Sequence, residues 1–60
     1  MGTQAELSSL TSSLEELTRR VTGLADGANR DGDDELAAHL FSIERSLEGA
    51  LRQLRRAART

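Results

Sequence analysis

The 60 residues contain no cysteine, proline, tyrosine, tryptophan or lysine, and only one histidine and one phenylalanine. Each absence removes a class of answer. Without cysteine there is neither a disulfide framework nor a thiolate zinc site, a usage that fits a reducing cytoplasm. The single histidine, His39, has no second histidine at helical spacing, so it reads as a flank residue and not as a metal ligand. No apolar run reaches even half of the roughly 20 residues that span a bilayer, and no cationic segment precedes an apolar one. The expectation is a cytoplasmic protein with no membrane contact. All eight basic residues are arginine, and alanine, glycine and leucine are abundant, as in chains encoded by GC-rich genomes.

So short a chain hides only about 60% of the surface that its unfolded form exposes, and is marginally stable alone. Small scaffolds compensate with disulfides, a metal or self-association. The first two are closed by composition, which leaves a homodimer or a complex with another protein.

What is present is a double apolar stripe. Leu7, Leu10, Leu14, Leu17, Val21 and Leu24 recur at alternating spacings of three and four, the a/d pattern of a helix packed along one seam. Leu36, Leu40, Ile43, Leu47, Ala50, Leu54 and Ala57 repeat it. The chain reads as one all-α domain over residues 1–60: a helix over about residues 4–26, a turn over about 27–32 and a helix over about 33–58. So short a linker folds the helices back as an antiparallel, coiled-coil-like two-helix hairpin. In that register Leu24 faces Leu36, Val21 lies near Leu40, Leu17 near Ile43, Leu14 near Leu47, Leu10 near Ala50 and Leu7 near Leu54.

Local signals mark the ends. Thr3 with Glu6 has the spacing of a capping box. Gly27, just beyond the last seam residue, is placed to close the first helix in a left-handed conformation. Asp31 or Asp33 can cap the second helix, with Asp34 and Glu35 in its first turn and arginines in its last turns, as the helix dipole favours. The acidic segment "DGANRDGDDEL" raises the question of calcium. Setting Gly32 at the sixth position of a calcium loop puts Asn29 and Asp31 at the third and fifth. It also puts Gly27 first and Ala38 twelfth, where the first ligand and the bidentate glutamate should stand. The segment is a turn, and no metal is expected.

Neither catalysis nor a cofactor is expected. The serines and threonines of "SSLTSSLEELT" have no base in register with them, and two helices form no cleft that excludes water. They are a solvated face, or else sites of phosphorylation. The helical pattern of cyclic-di-GMP-responsive anti-sigma hairpins is not met either. Ser46 and Gln53 align with it, but Ser42, Gly49 and Ala57 replace its Glu, Arg and Asp. No small-molecule substrate or ligand follows.

Two surfaces remain. Arg52, Arg55, Arg56 and Arg59 form a candidate polyanion contact, although one phenylalanine offers little for bases to stack on. Beside the a/d stripe, Ala37, Phe41, Leu51 and Ala58 share a flank of the second helix, with Ala25, Thr18 and Thr11 next to them. The opposite flank carries Glu6, Ser13, Arg20, His39, Ser46 and Gln53. The small, apolar flank is expected to be an outward packing surface, with Ala37, Phe41, Leu51, Ala58, Thr11 and Thr18 as interface residues that pair two hairpins into a four-helix bundle. The resulting expectation is a non-enzymatic regulatory or adaptor module acting through protein contacts. The competing expectations are a nucleic-acid-associated regulator and a structural subunit of a hetero-complex.

Overall fold

The computed structural model describes residues 2–59. It contains two α-helices, α1 (Thr3–Arg30) and α2 (Asp34–Arg59), packed against each other. Contacts between Thr22 and Glu44 and between Glu15 and Arg55 set the two antiparallel. The Cα envelope measures 48 × 14 × 10 Å, so the molecule is a single layer of helices. Its radius of gyration is 14.0 Å, against roughly 10 Å for a compact fold of this length.

The turn is shorter than the sequence suggests, because α1 runs one turn beyond Gly27. The glycine that closes it is Gly32, at φ 80°. Asp33 N–H donates to the Ala28 carbonyl at 2.9 Å and Gly32 N–H to the Asn29 carbonyl at 3.2 Å. Those two bonds form a Schellman motif, which needs a left-handed residue at Gly32 and a helical one at Gly27. Asp33 then caps α2, its Oδ1 accepting from Leu36 N–H at 3.2 Å, with Asp34 and Glu35 in the first turn as expected.

At the other end the capping box does not form. Gly2 is the N-cap, and no side chain caps the helix; Glu6 N–H donates to the Gly2 carbonyl at 2.8 Å. Thr3 is therefore already inside the first turn, one position too late for its hydroxyl to cap.

Packing follows a different seam from the leucine stripe. In heptad terms Leu7, Leu14, Val21 and Ala28 are the a positions of α1, and Leu40, Leu47 and Leu54 those of α2; all are buried or half-buried. The most covered set is e, not d: Thr11, Thr18 and Ala25 on α1, with Ala37, Glu44, Leu51 and Ala58 on α2. Ala25 is fully buried, and Thr18 and Leu51 are each 8% exposed. Every d position, Leu10, Leu17, Leu24, Leu36, Ile43, Ala50 and Ala57, is exposed. The expected pairing of d residues across the hairpin is thus replaced by pairing through a and e.

Side-chain size and polarity account for this choice. Alanine and threonine at e let two backbones approach closely, whereas leucines at d would hold them apart. The threonines can be buried because their own helix satisfies them: Thr11 Oγ1 donates to the Leu7 carbonyl at 2.8 Å and Thr18 Oγ1 to the Leu14 carbonyl at 2.7 Å. No buried side-chain polar atom among the described residues lacks a partner.

Candidate functional site

On a helical wheel the d and b positions lie on opposite sides of the a/e seam. In an antiparallel pair both d rows therefore share one long face of the hairpin and both b rows the other. Their chemistry differs sharply.

The b face is tied by polar contacts. Glu15 on α1 and Arg55 on α2 form an ion pair at 2.5 Å. About two turns along α1, Thr22 Oγ1 lies within reach of both the Glu44 carboxylate and the Thr18 carbonyl, and its one proton serves one of them at a time. Phe41 is half-buried on this side of α2.

The d face carries five large apolar side chains, exposed from 46% at Ile43 to 63% at Leu24, with Leu10, Leu17 and Leu36 between. Between the d rows runs a groove floored by a residues. One section, about 310 Å³, is lined by Leu10, Ser13, Leu14, Leu17 and Leu54. A second, about 350 Å³ at the turn end, is lined in part by Leu24, Leu36, Leu40, Gly23 and Gly27. A third hollow, about 790 Å³, lies on the second half of α2 and is lined by Ser46, Gly49, Ala50, Gln53, Leu54 and Ala57. All are shallow, and none is a cleft that closes around a small molecule.

The sequence-predicted site residues fall as follows. Thr18, Ala37 and Leu51 are buried within the single chain, and Thr11, Phe41 and Ala58 are half-buried. The flank expected to face outward is thus partly or wholly covered within the chain, and of the stripe expected to face inward the a half is covered while the d half is exposed. Of the four arginines, Arg55 is engaged by Glu15, while Arg52, Arg56 and Arg59 are exposed. His39 is exposed at the outer edge of the d face. In the acidic turn Asp33 is used as a cap, and among the described residues no cluster of His, Cys, Asp or Glu is arranged to hold a metal. No described helix is long and apolar enough to cross a membrane.

The exposed d row was legible in the sequence as a stripe but not as a surface. The missing signal was the e row, whose threonines and alanines are less conspicuous than leucine and yet fill the third apolar position of a helix with two packing neighbours.

Comparison with protein-family models, with curated proteins and with solved structures finds no match.

Proposed function

We propose that this chain is a non-enzymatic helical interaction module whose working surface is the d face, and that a second copy covers that face to form a four-helix bundle. The observation that carries the proposal is the exposure of the d row in both helices and over every heptad, with its large side chains about half open to solvent. A helix with one neighbour needs two apolar positions per heptad, and a helix with two neighbours needs three. Here a, d and, apart from Glu44, e are apolar or small, and the hairpin covers a and e.

Surface area points the same way. The chain exposes 4489 Å², whereas a folded monomer of 6.5 kDa exposes roughly 3800 Å². The excess is roughly 700 Å², close to the ~800 Å² that each partner contributes to a stable interface. Regulatory or adaptor activity would then be exercised from the remaining polar surfaces of the assembly.

The competing reading, polyanion contact through the end of α2, has one of its four cations engaged by Glu15. The two are separated by helicity on dilution and by titration with labelled duplex at low and moderate salt. Self-association predicts helicity that falls as the chain is diluted, and duplex binding no stronger than that of a chain with Arg52, Arg56 and Arg59 neutralised. Helicity independent of dilution together with steeply salt-dependent duplex binding would reverse the assignment.

A further inference from the structure

The d face is not uniform, and its relief selects how a second copy sits on it. Bulk lies on α1 and the first half of α2, at Leu10, Leu17, Leu24, Leu36 and Ile43. The second half of α2 is hollow where Ser46, Gly49 and Ala50 replace large side chains. Gly49 is not required by the hairpin itself: a methyl group there would meet only the Arg52 guanidinium, at 3.7 Å. The same holds at Gly23, where nothing lies within 4 Å. Glycine inside a helix is unfavourable by about 1 kcal/mol relative to alanine, a cost that an occupant of the hollow from outside the hairpin would offset.

Two face-to-face arrangements have two-fold symmetry. With the turns at the same end, α1 covers α2 of the copy, bulk meets bulk (Leu24 on Leu36, Leu17 on Ile43), and the hollow of α2 receives only Leu10. With the turns at opposite ends, each helix covers its own copy in antiparallel sense. Ile43 then seats at Ala50 and Leu36 at Ala57 of the copy, so the hollow of α2 is filled by large side chains, while on α1 Leu10 faces Leu24 and Leu17 meets itself on the axis.

One axis satisfies both helices. The contacts of Thr22 with Glu44 and Glu15 with Arg55, and the groove shared by Leu24 and Leu36, put Leu17 level with Leu47 to within about a turn. Leu47 lies near the midpoint between Ile43 and Ala50. Charge agrees with self-pairing as well. The rim of the d face runs from acid to base along α1 (Glu6, Glu16, then Arg20, Arg30) and along α2 (Glu35, then Arg56), so antiparallel overlay sets acids on bases.

Resting on the self-association proposed above, we infer that the occupant of the hollow is the bulky first half of α2 from a second copy, with the two turns at opposite ends of the bundle. Because the chain has no cysteine, oxidative cross-linking reads this directly. Leu17→Cys should give a disulfide-linked dimer at least tenfold faster than the exposed control Arg45→Cys, with helicity unchanged. Ile43→Ala and Ala50→Ile should each weaken the dimer several-fold, and the double variant should recover most of the loss, since each exchanged residue meets the other across the interface. If the unaltered chain is a dimer but Leu17→Cys links no faster than the control, or if a mixture of Leu17→Cys and Ile43→Cys chains links preferentially to each other, this arrangement is overturned while self-association stands. A chain that is monomeric at all concentrations overturns both.

Discussion

The two long faces of the hairpin are built from the same heptads and finish in opposite states. On the b face, Glu15 with Arg55 and Thr22 with Glu44 close the groove with polar contacts that are complete within one chain. On the d face, five large apolar side chains stand half exposed around an open groove. The difference lies in side-chain size at e and d. Small residues at most e positions bring α1 and α2 together, and the leucines at d are left flanking the contact. A structure one helix thick has no second layer against which to bury its apolar face, and under the proposed reading a second copy supplies that layer.

The largest effect should come from placing a charge at the centre of the d face. Leu17 lies outside the a/e seam and is 47% exposed, so Leu17→Glu perturbs the contact between α1 and α2 far less than it perturbs the d face, where it buries a carboxylate on the proposed axis. Self-association should be lost at all accessible concentrations, as read by light scattering. Retention of the dimer would mean that the d face is not the interface.

Next in size is overfilling the inner seam. Ala25 is fully buried, and Ala25→Leu should destabilise the folded chain by about 1–3 kcal/mol through overpacking, seen as a lower midpoint in urea. The same substitution at Ala50, which is exposed in the hairpin, should leave the hairpin contact intact and act on association alone. Equal effects at the two positions would erase the distinction between the faces.

Substitutions at the turn sharpen the comparison by affecting both faces equally. Gly32→Ala places a side chain at φ 80° and should cost about 1 kcal/mol, and Asp33→Ala should cost a similar ~1 kcal/mol by removing the cap on α2. Both should lower the melting temperature without changing the ratio of folding to association effects seen elsewhere. Smallest of all is the b-face ion pair. Glu15 and Arg55 are 36% and 50% exposed, so Glu15→Gln should change stability by less than about 1 kcal/mol, and less still in high salt.

Much of this architecture is legible in the sequence. Alternating spacings of three and four from Leu7 to Leu24 and from Leu36 to Ala57 specify two helices, and Asp31 or Asp33 ahead of Asp34 and Glu35 brackets where the second begins. Less legible is which part of an apolar arc faces which neighbour. A stripe of leucines marks the bulkiest positions, whereas the closest helix contact goes to the smallest, so Thr18 and Ala25 take the seam and Leu17 and Leu24 do not. The choice between Gly27 and Gly32 as the left-handed residue was hidden for a related reason. It depends on which carbonyls the last amides reach, and the bonds from Gly32 and Asp33 to Asn29 and Ala28 are set by where the turn must point.

Sedimentation equilibrium over a wide dilution range, with helicity followed in parallel, decides whether the d face pairs two chains. Pairing gives twice the 6.5 kDa chain mass, with helicity falling only as that species dissociates, and a single-chain mass for Leu17→Glu. A single-chain mass for the unaltered protein up to the highest concentration, with helicity unchanged throughout, would contradict it.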